Sequence, residues 1–197
     1  MNDFNIENYI NSQKSSRNIS LDGFPEIDLY MDQVMQLFES KLNYTKRNDD
    51  DKVLTKTMIN NYAKGNLLMK IKNKKYTKNH LILMSLIYNL KGALSLTDIK
   101  TILTPIVDSF EKDQDYPLYD LYQSFLDIYD LNLKDLDSSS NEIYDNIKQI
   151  INNKNNILGD YEEKFLLICA YVSMSNLYRR MSEKIIDECF NSSNDSK

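Results

Sequence analysis

Only four glycines and three prolines occur among the 197 residues of this chain. So few turn-formers exclude collagen-like and Gly-rich chains and most small β-rich architectures, which need a reversal every few residues. The alternative is helices joined by few breaks. Hydrophobic residues make up 42% and charged residues 27%, enough to bury a sizeable core within one domain, or one small domain with an extension. The 14 Tyr, 7 Phe and 8 Met give that core an adaptable aromatic character without Trp.

Residues 1–23 hold few apolar anchors and read as a flexible N-terminal arm. From Pro25 onward, Ile27, Tyr30, Met31, Val34, Leu37, Phe38 and Leu42 fall at helical spacing, with Pro25 suited to the first turn. A polar stretch, 43–52, breaks the period and ends in three acids. The spacing then predicts a short helix over 55–64 with Met58, Ile59, Tyr62 and Ala63 inward, closed by Gly65 and Asn66, which both tolerate the left-handed conformation. Residues 69–76 alternate apolar and basic side chains around Asn73, as a short β-hairpin would. Thr77 caps an apolar helix over 78–91, and Ser95 with Asp98 forms a capping box for a helix reaching about Val107. Helices over 118–131 and 143–151 follow, separated at Ser138, Ser139 and Ser140. After Gly159 comes the longest helix, 161–190, whose first half is apolar nearly all round and is expected to be buried. The expected fold class is all-α, with a short β-hairpin wing and a C-terminal helical bundle.

Charge is segregated along the chain. Nine lysines (52, 56, 64, 70, 72, 74, 75, 78 and 91) and no acid lie between Asp51 and Asp98, so this stretch carries +9 and the remainder −14, giving the net −5. A solvated face normally intersperses both signs. A basic module inside an acidic chain is instead the footprint of a polyanion partner. Helix, short turn, hairpin and helix make a winged helix-turn-helix, in which one helix enters the major groove and a wing grips the backbone. The outward face of 55–64 holds Lys56, Thr57, Asn60, Asn61 and Lys64. Asn pairs bidentately with adenine, Thr meets a thymine methyl, and Lys reaches phosphate or guanine. In the wing, Lys70, Lys72, Lys74 and Lys75 supply phosphate contacts that add affinity without sequence information.

These residues carry a resemblance. The run Ile59-Asn60-Asn61-Tyr62 through Asn66-Leu67-Leu68 resembles the recognition helix and turn of MerR-type regulators, and Lys74-Lys75-Tyr76 resembles their basic wing. The stretch from Gly92 to Ile99 resembles their glycine–leucine–isoleucine element. The fuller pattern, from Phe24-Pro25-Glu26-Ile27 through Lys56-Thr57-Met58-Ile59-Asn60-Asn61-Tyr62, is similar to an uncharacterised bacterial family, domain of unknown function 1836, itself regarded as MerR-like. The resemblance spans 24–107 and implies a winged helix-turn-helix fold and a DNA-binding role, with Tyr76 near the backbone. Two departures stand out. The wing has Lys where MerR proteins usually carry Arg, forgoing bidentate phosphate contacts, and the linker 43–52 separates the first helix from the recognition helix.

Other chemistry reads blandly. Tyr62, at helical spacing with Ile59, is a core residue before it is a stacking platform. His80 falls at a surface position of a first helical turn, and no nucleophile pairs with it. Cys169 sits in the most apolar stretch and reads as a buried small hydrophobe, while Cys189 near the end reads as exposed. Two cysteines without a CxxC spacing suggest a reducing compartment and supply no metal site. With no apolar run long enough for a signal or span, the expectation is a cytoplasmic protein without membrane, metal, cofactor or enzymatic activity.

The reading is a sequence-specific transcriptional regulator binding double-stranded DNA: an arm (1–23), a DNA-binding domain (24–107), and helices (108–197) that dimerise, sense a signal, or both. On the last helix, Leu166, Cys169, Ala170, Val172, Ser173, Leu177, Met181 and Ile185 recur near a 3.5–3.6 period, and their surplus apolar face suits a homodimer. A small-molecule effector pocket among the Tyr and Met residues of 116–181 is a weaker reading than core or interface. The rival function is a non-enzymatic adaptor whose Lys patch meets an acidic protein.

Overall fold

The computed structural model describes residues 4–14, 17–153 and 158–190. In chain order the elements are α1 (Ile6–Lys14), β1 (Leu29–Tyr30), α2 (Met31–Leu42), α3 (Lys56–Lys64), β2 (Lys75–Tyr76), α4 (Lys78–Leu90), α5 (Leu96–Glu111), α6 (Leu118–Asn152) and α7 (Asp160–Cys189), with 3-10 turns at Leu21–Gly23 and Asn43–Thr45. The described residues are thus predominantly helical, with one two-stranded sheet. They form two compact units. One comprises Ser16–Asp127 with Ile185–Lys197, and the other Met1–Ser15 with Ile128–Lys184.

In the first unit α4 is the central element. Every residue from His80 to Ile87 is buried, and Val34, Phe38, Ile59, Ile99, Leu103 and Tyr122 belong to the same cluster. Side chains at the helix ends close orphan amides, at Ser95 and Asp98 as the pattern predicts and at Thr55 without such a signal. Thr55 Oγ1 accepts from Met58 N–H at 3.2 Å, and Ser95 Oγ accepts from Asp98 N–H at 3.1 Å while Asp98 Oδ2 accepts from Ser95 N–H at 3.2 Å. Helix α3 ends in a Schellman arrangement: Leu67 N–H donates to Tyr62 O at 3.0 Å and Asn66 N–H to Ala63 O at 3.2 Å. Only Asn66 takes the left-handed conformation, at φ 56°. Gly65 is needed for space instead, since a Cβ there would sit 2.6 Å from Leu67 Cδ1 and 3.0 Å from Asn61 O.

The first helix departs from expectation. It begins at Met31 rather than near Pro25, because Leu29 and Tyr30 are drawn into a strand pairing Leu29 with Tyr76 and Tyr30 with Lys75. Ile27 is consequently exposed. Helix α5 runs through Pro105 to Glu111, beyond the expected end at Val107.

In the second unit, Ile6, Ile10, Ile147, Ile151 and Leu167 form a separate small core. Ile6 and Ile10 anchor α1 in a stretch that reads as poor in anchors. Tyr144 Oη donates to Glu163 Oε1 at 2.6 Å, joining α6 to α7, and burial pushes that phenol up to about 12. The expected break at Ser138, Ser139 and Ser140 is absent: α6 is one 35-residue helix. Serine costs a helix only about 0.5 kcal/mol relative to alanine, and three in a row, without Gly or Pro, do not stop it. Helix α7 is shorter, at 30 residues. The expected burial of its first half fails, since Phe165, Ile168, Cys169 and Val172 are all exposed. Among the described residues no helix is long and apolar enough to cross a membrane.

Two buried polar groups hold the first unit in register. Tyr122 Oη donates to Ile19 O at 2.7 Å and lies 2.9 Å from Ser85 Oγ on α4. His80 is 4% exposed rather than on the surface. Its Nδ1 accepts from Thr77 N–H at 3.2 Å, and its Nε2–H donates to Met69 O at 3.2 Å. Thr77 N–H can only donate and Met69 O only accept, so these partners select the neutral imidazole. Burial lowers its pKa accordingly.

Tyr122→Phe is expected to destabilise the protein by about 1–3 kcal/mol, by leaving Ile19 O and Ser85 Oγ unpartnered; urea unfolding measures this. For His80, a depressed folded pKa means that the unfolded chain binds its proton first as pH falls. Stability should therefore drop below about pH 6.5. A His80→Gln variant should show a shallower decline between about pH 7 and 5.5. Identical slopes for the two proteins would show that His80 binds its proton equally in the folded and unfolded states, and would overturn the depressed pKa.

Candidate nucleic-acid interface

Helix α3 is positioned by its two inward residues and by the loop that leads into it. Ile59 and Tyr62 are buried, and burial raises the Tyr62 phenol. The loop after α2 is held closed by Glu39, whose carboxylate accepts from Lys46 Nζ at 2.8 Å and from Val53 N–H at 3.2 Å. These bonds lower the Glu39 pKa. Val53 and Leu54 are buried just before the helix starts. The polar linker is therefore pinned at both ends, and α3 is presented from a fixed support.

On the opposite side, Lys56, Thr57, Asn60, Asn61 and Lys64 are all exposed, and their spacing puts them along one face of the helix. That face contains no acid. It offers two amides able to give and take hydrogen bonds, one hydroxyl with a methyl, and two ammonium groups.

The wing differs from a simple hairpin. Its turn is where expected: Lys75 N–H donates to Lys72 O at 3.0 Å, with a single bridge between Lys72 and Lys75. Strand β2, however, pairs chiefly with β1, not with residues 69–71. Asn73 and Lys74 both have positive φ, 53° and 60°, the pattern of a type I′ turn, whose second position favours glycine. Lys74 thus occupies a conformation that L side chains disfavour.

The four wing lysines have separate fates. Lys72 and Lys74 are exposed, and no ion pair engages either among the described residues. Lys70 is committed to Glu111, with its N–H donating to Oε1 at 2.6 Å and its Nζ 3.1 Å from Oε2; these bonds hold the Glu111 carboxyl below its usual range. Lys75 is half-buried, with its ammonium 5.3 Å from the centre of the Tyr30 ring. Tyr76, expected near a DNA backbone, is 2% exposed. It pairs with Leu29 and packs edge-on against His80 at 5.9 Å, so it supports the wing from inside and is withdrawn from the surface. Elsewhere in the basic stretch, Lys78 pairs with Glu26 at 2.5 Å, and Lys91 lies 4.5 Å over the Tyr88 ring, where burial lowers its pKa. Lys52, Lys56, Lys64, Lys72 and Lys74 remain exposed and without an ion pair among the described residues.

Sequence reasoning missed the residues that hold the wing. His80 Nε2–H donates to Met69 O and Glu111 Oε1 accepts from Lys70 N–H, so the chain is tied by two successive backbone groups just before the turn. The only sequence signal was the capping position of His80 after Thr77. Among the described residues no three His, Cys, Asp or Glu side chains gather as a metal site requires.

No curated protein and no solved structure matches the chain. The family described as Domain of unknown function (DUF1836) matches residues 19–125, more than half of the sequence. That span contains α2 to α5, the sheet, the wing turn and Tyr122 of α6, and the chain belongs to this family.

Proposed function

We propose that this protein is a sequence-specific, DNA-binding transcriptional regulator, with a MerR-like winged helix-turn-helix built from α2, α3 and the 72–75 turn. The observation that carries the reading is the acid-free, fully exposed row Lys56, Thr57, Asn60, Asn61 and Lys64 on a helix anchored from behind by Ile59 and Tyr62. Asn60 and Thr57 read base edges, and Lys56 and Lys64 hold phosphates beside them. The wing adds Lys72 and Lys74. A lysine kept where glycine would fit the backbone better supports the same reading, since local strain is retained where the side chain has work to do.

A helix of nine residues spans only a half-site, too few base pairs for genomic specificity. The reading therefore includes a two-fold homodimer through α7, whose Val172, Leu177, Met181 and Ile185 are exposed. Leu166 and Ala170, expected on the same face, pack into the small core instead.

Duplexes selected from a random pool by the purified protein should share a motif, arranged as an inverted repeat. Asn60→Ala is expected to cost about 1–3 kcal/mol on that motif and little on random duplex; equal losses on both would refute base reading. Lys72→Ala should weaken all duplexes alike and shallow the salt dependence by about one charge. Lys74→Gly should do the same while leaving thermal stability unchanged or higher. Retained binding to an acidic protein with no duplex binding at any salt concentration would favour the adaptor reading. In sedimentation, the native protein should run as a dimer and Leu177→Glu with Met181→Glu as a monomer. A native monomer at micromolar concentration would overturn the homodimer.

A further inference from the structure

The unit formed by Met1–Ser15 and Ile128–Lys184 carries a half-open cavity of about 580 Å³ lined by α1, α6 and α7. Such a volume falls in the range that takes small molecules. Its wall is apolar almost throughout, with Ile10, Leu136, Leu167 and Ile168 contributing. Besides Gln13 and the phenols of Tyr9 and Tyr171, two polar features break that surface.

The first is Ser140, which is 3% exposed. Its hydroxyl makes no hydrogen bond among the described residues, whereas Ser138 two residues earlier returns its Oγ–H to Asp135 O at 3.1 Å. A hydroxyl that lines an apolar wall without a protein partner is open to a hydrogen bond with whatever enters. The second is Lys164, the only charged side chain lining the cavity among the described residues. Its Nζ lies 2.6 Å from Asp160 Oδ2 and 5.7 Å from the centre of the Phe4 ring. The Lys164–Asp160 pair is solvent-exposed, 39% and 78% by side chain. Such pairs are weakly held, and the ammonium is free to share a second anion.

We infer that this cavity binds an amphipathic carboxylate of medium chain length. The hydrocarbon body lies against the apolar wall, the carboxylate meets the Lys164 ammonium, and the Ser140 hydroxyl donates to an oxygen of the same molecule. Lys164 and Asp160 already sum to zero, so each further negative charge on the head adds repulsion from Asp160, and a carboxylate adds half that of a phosphate dianion. This site is independent of duplex binding, and each reading can fail without the other.

The test is calorimetric titration of the full-length protein with dodecanoate and with dodecanol, both below their aggregation limits. Dodecanoate should bind one per chain and about tenfold more tightly than dodecanol. Lys164→Met should weaken dodecanoate by about tenfold and leave dodecanol unchanged, and Ser140→Ala should weaken dodecanoate severalfold. Leu131→Ser, an exposed apolar position outside the cavity, should bind as the native protein does. Absence of saturable binding to protein with native circular dichroism would overturn the site. So would dodecanoate binding that is indifferent to Lys164→Met, because it would mark adsorption to apolar surface.

Discussion

Eight consecutive residues of α4, from His80 to Ile87, are buried. A helix apolar on every side cannot be stable until other elements cover it all round, and the first unit is arranged to do so with α2, α3, α5 and the start of α6. Each buried Leu or Ile contributes about 1.5–3 kcal/mol through removal from water, but the two polar members set the geometry. Ser85 needs Tyr122, and His80 needs both Thr77 and Met69. The first requirement draws α6 onto the helix. The second draws in the chain that precedes the wing turn. Apolar burial thus drives the assembly, and the few buried polar groups select its register.

That register decides which charges are spent inside the fold. Counting lysines by sequence treats all nine as equivalent, yet Lys75, Lys78 and Lys91 are packed against Tyr30, Glu26 and Tyr88, and Lys70 pairs with Glu111 at the surface. Three of the partners, Glu26, Tyr30 and Glu111, lie outside the acid-free stretch, where the linear sequence does not connect them to it. The proposed interface therefore rests on fewer cations than the +9 total suggests, and the proposed reading leans correspondingly more on the α3 amides.

Local signals were legible wherever a few neighbouring residues decide the outcome. The bounds of α3, the capping box at Ser95, the cap at Thr77, the turn at Asn73 and the exposed row on α3 all fall in this class. Features that depend on distant partners were not. Leu29 and Tyr30 continue a helical period and enter a strand only because Lys75 and Tyr76 lie alongside. Tyr76 looks like a wing-tip residue until that pairing turns it inward. His80 sits where a first-turn residue is often solvated, and only Met69 O explains its burial. Cys169 was misplaced for the opposite reason: an apolar surrounding sequence implies burial, but the described residues do not cover that side of α7. Ser138, Ser139 and Ser140 show that weak helix formers end a helix only when a competing cap or turn takes over.

An overall charge of −5 does not oppose a DNA-binding reading once distance enters. At physiological ionic strength charges are screened over about 8 Å, so a phosphate approaching α3 responds to Lys56, Lys64 and their near neighbours before it responds to acids elsewhere. The −14 of the remainder acts on orientation instead, disfavouring approach by any face other than the basic one. At about 0.01 M salt the screening length grows to about 30 Å, and the acids then oppose the same duplex that the lysines attract. The gain in affinity on lowering salt is therefore smaller than for a uniformly basic domain with the same contacts. A negatively charged body with a small cationic face trades non-specific affinity for orientation. Under the proposed reading, that trade leaves the choice of sequence to the uncharged row of Thr57, Asn60 and Asn61.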